Sequence, residues 1–162
     1  MKLRTIAAAA LLAALGASAH AYNFAGDTTG GPTFNRPVSL ATLSAVGTAV
    51  PYAAFTFSVD LSGAYTFTTA TAGAYDPFIA LYSPSFNPAA GLSNLVALND
   101  DFPAGDYTQS SFTTNLTSGT SYVFVNTGFG NDDFGAFTSS ITGQGNVITV
   151  PEPATWGLMA LG

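Results

Sequence analysis

The 162-residue chain has no cysteine, one histidine, one tryptophan and three basic residues, and charged residues make up only 7% of it. Each absence closes a class of function. Without cysteine there is no disulfide framework to read and no thiol nucleophile. Zinc sites draw on Cys and His, so zinc is not expected. His20 and two of the bases, Lys2 and Arg4, fall within the first 21 residues. The remainder keeps a single base, Arg36, against nine acids, a formal charge of −8, and has neither Lys nor His. General acid–base catalysis by His and Schiff-base chemistry by Lys are closed to it. One Arg cannot neutralise a row of phosphates, which excludes nucleic acid as a partner, and the same balance disfavours anionic lipid headgroups. No Ser stands in Gly-x-Ser-x-Gly, so no nucleophile elbow is signalled.

What the chain does have is apolar and aromatic: thirteen Phe, seven Tyr and a positive mean hydropathy, ample material for one packed domain. Its start differs from its body. Lys2 and Arg4 precede an apolar run from Ile6 to Leu15, and two small-x-small triplets follow, Ala17-Ser18-Ala19 and Ala19-His20-Ala21. This is the layout of a secretory signal peptide. The run is shorter than the ~20 residues that span a bilayer. Residues 1–21 are therefore expected to form a signal helix, cleaved after Ala21 or Ala19.

Residues 22–37, "YNFAGDTTGGPTFNRP", read as a loop segment broken by Gly30-Gly31-Pro32 and Pro37. Alternation then sets in. "YAAFTFSVD" puts Phe55, Phe57 and Val59 on one face and Thr56 and Ser58 on the other; "AYTFTTAT" does the same with Tyr65 and Phe67. "PFIALY" is a continuous apolar strand, and "SSFTTNL", "SYVFVNTG" and "GAFTSSITG" follow. Turn signals at Ser62-Gly63 and residues 117–120 separate them. The spacing predicts an all-β domain over 38–149, an antiparallel jelly-roll-like β-sandwich of about seven to nine strands, with a closed barrel as the alternative. The count turns on residues 39–43, 95–98 and 147–150.

Carboxylates are the remaining chemistry. Asp27-Thr28-Thr29-Gly30 is one residue too long for the Asp-Thr-Gly of aspartic proteases and has no second copy. Two Asp can hydrolyse a glycoside, but nothing in the spacing selects a pair. Asp76, Asn99, Asp100, Asp101, Asp106, Asn131, Asp132 and Asp133 all fall at predicted strand ends or loops, and "NDDF" occurs at 99–102 and again at 131–134. Calcium takes about six to eight hard oxygen ligands, and such loops supply carboxylates and free carbonyls. In a sandwich these loops gather at one end, so Asp76 is expected to meet Asn99, Asp100 and Asp101. Asp132 and Asp133 complete the candidate calcium ligands. The competing reading is that Asp and Asn are good turn formers. No cofactor is required, and calcium is the one candidate metal. Tyr75, Phe86, Phe102, Tyr107 and Phe129 are loop aromatics suited to a sugar platform, most of them expected at the edge of the core.

"DPFIALY", "ALNDDF", "SYVFVNTG" and "FGAFTSSITG" together resemble the bacterial pre-peptidase C-terminal domain over roughly residues 50–143. That resemblance implies a jelly-roll sandwich that in some members binds calcium, with Asp76, Asn99, Asp100 and Asp101 at the family's acidic positions. The ending, Val150-Pro151-Glu152-Pro153-Ala154-Thr155 and an apolar continuation, resembles the PEP-CTERM sorting signal. It implies recognition by exosortase in the membrane of a Gram-negative bacterium and association with exopolysaccharide and biofilm. The physics agrees: Pro151 and Pro153 can join neither a ladder nor a helix interior, which holds Glu152 in extended chain outside the fold. Nine residues follow the motif, with no base behind them, so residues 150–162 are expected to be a truncated form of the signal. The expectation is a non-enzymatic exported protein, sorted through Pro151, Glu152 and Pro153 to the envelope, extracellular space or matrix. It would touch the membrane transiently through its tail, and its sandwich would serve as a binding or structural module for extracellular polysaccharide. A calcium-stabilised adhesive module is the alternative, and a secreted hydrolase a third.

Overall fold

The computed structural model describes residues 19–150. The expected signal helix and the Pro151-Glu152-Pro153 motif with its apolar tail lie outside the described residues. Within them there are twelve strands: β1 (His20–Asp27), β2 (Thr33–Phe34), β3 (Pro37–Ser39), β4 (Thr42–Leu43), β5 (Val50–Val59), β6 (Gly63–Ala70), β7 (Pro77–Tyr82), β8 (Leu95–Asn99), β9 (Gln109–Leu116), β10 (Tyr122–Gly128), β11 (Ala136–Gly143) and β12 (Val147–Thr149). One sheet has the order β1-β11-β6-β9. The other runs β12-β5-β10-β7-β8, with β2 also paired to β5, and β3 and β4 form a separate hairpin. All pairs are antiparallel.

Leaving aside the short β2, β3, β4 and β12, the principal strands numbered along the chain give 1-8-3-6 in one sheet and 2-7-4-5 in the other. This is the order of two interleaved Greek keys, the jelly roll. The expected fold class therefore holds, as an open sandwich and not a closed barrel. The strand count exceeds the expected range because the three uncertain segments all contribute strands and the N-terminal stretch contributes two more.

That stretch corrects the expected domain boundary. Residues 22–37 are not a loop segment: β1 pairs with β11 along its whole length, from His20↔Gly143 to Asp27↔Ala136. Tyr22 and Phe24 turn inward onto Phe55, with ring centroids 5.4 and 4.6 Å away. Two large side chains in eight residues make a thin alternation, and a strand needs its partner to be recognised from so little. Of the expected signal segment, His20 and Ala21 stand in this strand.

The two sheets differ in what covers them, and the sequence patterns follow. The first is wet on its outer side. Tyr65, Phe67 and Ile141 face the core, while Thr66 and Thr68 pair by hydroxyl with Thr113 and Ser111 at 2.8 and 2.9 Å on the outer face. That is the alternation of a half-buried antiparallel sheet. In the second sheet β7 and β10 are buried at every residue. Ile79, Leu81 and Phe124 enter the core between the sheets, with Phe57, Phe67 and Ile141. Phe78, Ala80, Tyr82, Val123 and Val125 form a second core on the outer side, roofed by Phe34 and by half-buried Tyr52, Phe86, Leu95 and Leu98. A strand covered on both faces needs an unbroken apolar run, hence "PFIALY". Each fully buried Phe contributes about 1.5–3 kcal/mol.

A polar bridge crosses the core. The Asn126 side-chain carbonyl accepts from Thr69 Oγ1 at 2.5 Å and from Ser139 Oγ at 2.9 Å, tying β10 to β6 and β11. Buried hydroxyls are tolerated there because each finds a partner.

Candidate cation site

The starts of β5 and β7 and the ends of β8 and β10 share one end of the sandwich, as their registers require: Tyr52↔Thr127, Pro77↔Gly128 and Ile79↔Asn99. Asp76 immediately precedes β7, and Asp100-Asp101 immediately follow β8. Antiparallel pairing therefore delivers all three to one spot, as the sequence led one to expect. One carboxylate oxygen from each lies within 4.8 Å of the others. Each residue also has a buried Oδ1 that receives no hydrogen bond among the described residues. The main-chain carbonyl of Asp76 accepts from the Phe129 amide at 2.9 Å, which fixes this corner to the β10–β11 loop.

The other expected ligands divide. Asn99 does not join: its Oδ1 accepts from the Ser111 amide at 3.1 Å and is committed to β9. Its side chain points away because alternation along β8 sends neighbours to opposite faces. Asp133 comes near but is engaged, its Oδ2 accepting from the Gly130 amide at 2.7 Å. Asp132 is exposed and stands outside the convergent set. Asn131 ties loops together, accepting from the Ala49 amide at 2.8 Å. Asp106 is a turn former, accepting from the Thr108 hydroxyl and amide, which hold its carboxyl below the usual range. The turn-former reading wins for Asp106, whereas Asn131 reaches across 82 residues of sequence.

Electrostatics mark Asp76. Its carboxyl is pushed up to about 7, first by burial and then by Asp100, Asp101 and Asp133, against an opposing pull from Arg36. Asp100 is raised as well, mainly by burial, with Arg36 opposing. Crowded carboxylates that receive no hydrogen bonds resist ionisation.

Arg36, noticed in the sequence only as the lone base of the body, belongs to this corner. It is 1% exposed. Its guanidinium lies over the Phe78 and Phe129 rings, at 4.3 and 4.6 Å from their centroids. Nε donates to the Phe129 carbonyl at 2.6 Å and Nη1 to the Pro37 carbonyl at 3.1 Å, while Nη2 has no partner. A single Arg in an acidic, aromatic-rich chain was the available signal; its site was not readable, because its contacts lie across 93 residues of sequence.

The donor set suits a hard cation. Three carboxylates, free lone pairs and no nitrogen or sulfur ligand match calcium and not zinc. The orphaned Oδ1 atoms are the test of fit, since buried acceptors without donors are rare unless something else satisfies them. Catalysis is a poorer match, because these oxygens are shielded from solvent. An open depression of about 420 Å³ lies elsewhere, on the outer face of the first sheet, lined by Ala, Thr, Ser, Asn23 and Phe24 without an acid. Of the loop aromatics, Tyr75 is buried and Phe86 packs on Phe34, Tyr52 and Tyr82. Phe102 and Tyr107 are 53% and 63% exposed, and Phe129 is exposed as well.

No protein-family model matches the chain, and no curated protein sequence does. Solved structures similar to it include the periplasmic g-type lysozyme inhibitor PliG of Aeromonas hydrophila, at 12% identity and a TM-score of 0.42 over 82% of this chain and 91% of that one. The CBM35 of Cellvibrio japonicus Abf62 aligns at 14% identity and 0.41, over 83% and 99%. The K1 cleaved adhesin domain of Lys-gingipain from Porphyromonas gingivalis W83 aligns at 14% and 0.39, over the same shares. At that distance the likeness assigns no function to this chain.

Proposed function

We propose that the chain is an exported, non-enzymatic β-sandwich module whose loop end is locked by a calcium ion held between Asp76, Asp100 and Asp101. The observation that carries this reading is the set of three buried carboxylate oxygens, one on each residue, that no donor among the described residues satisfies. A bound divalent cation supplies positive charge to a corner where Arg36 alone faces several acids. The residues do the rest. Asp76 anchors the start of β7, Asp100 and Asp101 anchor the end of β8, and the Asp76 carbonyl holds the β10–β11 loop through Phe129. Extracellular modules bind calcium with dissociation constants of roughly 10⁻⁴–10⁻³ M, which suits a protein working outside the cell.

A calorimetric titration of the purified domain with calcium chloride is expected to show one site, reversed by EDTA. Absence of heat and of any change in melting on adding calcium would sink the reading.

Export and sorting form the second half of the proposal. They are supported by the signal-like residues 1–21, with Ala19 and Ala21 at the cut, and by Pro151, Glu152 and Pro153 ahead of an apolar continuation. Exosortase is the partner that processes this motif, and the destination is the envelope or a polysaccharide matrix. Glu152→Ala in the full gene product is expected to leave the melting temperature unchanged and to alter where the protein accumulates. Identical processing and release of variant and parent count against motif recognition.

A further inference from the structure

We infer that Arg36 is a built-in competing charge that weakens the Asp76–Asp100–Asp101 site for divalent cations and holds its affinity in the weak, extracellular range. The inference rests on the calcium reading above and assigns a residue that sets the strength of that site.

The contacts of the guanidinium tie it to the two residues that flank the acidic corner, Phe78 and Phe129, and among the described residues it forms no hydrogen bond to Asp76, Asp100 or Asp101. Nε bonds the Phe129 carbonyl, and the Phe129 amide bonds the Asp76 carbonyl, so one residue links Arg36 to the backbone that carries the first ligand. Phe78, two residues after Asp76, and Phe129 both lie against the guanidinium. The Oδ1 atoms of Asp76, Asp100 and Asp101 receive no hydrogen bond, from Arg36 or from any other donor among the described residues, and Nη2 likewise finds no acceptor there. Arg36 therefore acts on the carboxylates through space. An arginine that bonded them directly would occupy the site; this one leaves their Oδ1 atoms free and only makes the potential there less negative.

The charge cannot leave. Arg does not deprotonate in proteins. The guanidinium is held by two aromatic rings and two carbonyls in a side chain that is almost wholly buried. Gly47 leaves room for it, since a Cβ at that position would meet Arg36 Nε and the Phe129 carbonyl at 2.8 Å each. Asp133 belongs to the same neighbourhood, so Arg36 is felt by three acids, Asp100, Asp76 and Asp133. In the cation-free protein Arg36 partly compensates the acids. When a divalent cation enters, the same charge repels it, and in a partly desolvated corner that repulsion is felt at separations where bulk water would mask it.

The test is calcium titration at fixed pH of the parent, Arg36→Met and Arg36→Lys. Arg36→Met is expected to bind about tenfold more tightly than the parent, and Arg36→Lys, which keeps the charge, within about threefold of it. Loss of the stacked cation also weakens the fold. If Arg36→Met is unfolded in EDTA, it is expected to regain its β-sheet circular dichroism in excess calcium. Parent binding with Arg36→Met no tighter, or Arg36→Met still unfolded in excess calcium, overturns this inference alone. No binding by either protein overturns the calcium reading and this inference together.

Discussion

Asp76→Asn is expected to raise the melting temperature of the protein in EDTA at mildly alkaline pH and to remove most of the stabilisation that calcium gives the parent. The two effects have opposite signs because one charge serves two states. Burial and three neighbouring acids push the Asp76 carboxyl up to about 7 in the fold, whereas in the unfolded chain it titrates near ~3.9. A group raised in this way contributes stability that is fully present below the unfolded value and is lost as pH rises through the folded value. At about pH 8 the ionised Asp76 therefore works against the cation-free fold, and an isosteric amide relieves it. Allowing for solvent on its open side, the relief is on the order of 1–2 kcal/mol, or about 5 °C for a domain of this size. With calcium the parent gains RT ln(1 + [L]/Kd), about 2.7 kcal/mol or roughly 10 °C at a hundredfold excess over Kd, and the variant loses most of that gain. Thermal melts in EDTA and in calcium measure both. A variant that melts below the parent in EDTA shows that Asp76 makes a favourable contact; one that keeps the calcium shift shows that it is not a ligand.

Most of the sandwich was legible because its strands follow period two or an unbroken apolar run. "YTFTTA" and "FTSSIT" alternate because their outer face is wet, and "PFIALY" does not because both its faces are covered. The meeting of Asp76 with Asp100-Asp101 was legible for a related reason: an acid before one strand and acids after its antiparallel neighbour must end side by side. What failed did so where direction or distance decides. Asn99 directly precedes Asp100-Asp101, yet the pleat turns it to Ser111. Asp132 and Asp133 repeat the letters of Asp100-Asp101, but β10 hands them to a turn that Gly130 closes. β1 carried too few large side chains to be seen without β11 beside it. Arg36 reaches its place only after β7 and β10 have paired, and no local pattern encodes that.

Calcium affinity is expected to fall about tenfold between pH ~8 and pH ~6, because the proton on Asp76 competes with the cation for the same oxygens. With the carboxyl titrating at about 7 in the cation-free fold, roughly nine-tenths of the molecules present an ionised Asp76 at the upper pH and roughly a tenth at the lower. Asp100, raised in the same direction, makes the loss steeper still toward acid. Stability then responds to pH differently in the two states, calcium flattening the decline that Asp76 causes without it. In EDTA, Asp76 makes the fold weaker as pH rises from about 4 through about 7, since the unfolded chain ionises first. At a fixed calcium concentration near Kd, the bound fraction grows over the same upper range and pulls the melting temperature the other way. The discriminating measurement is a pair of titrations at the two pH values, joined by calorimetry near pH 7 in buffers of different ionisation heat. Entry of calcium there must expel a fraction of a proton, so the apparent enthalpy must change with the buffer. Equal affinity at both pH values, with a buffer-independent enthalpy, would mean that the cation binds without displacing a proton from Asp76 and that the acids at the start of β7 and the end of β8 are not its ligands.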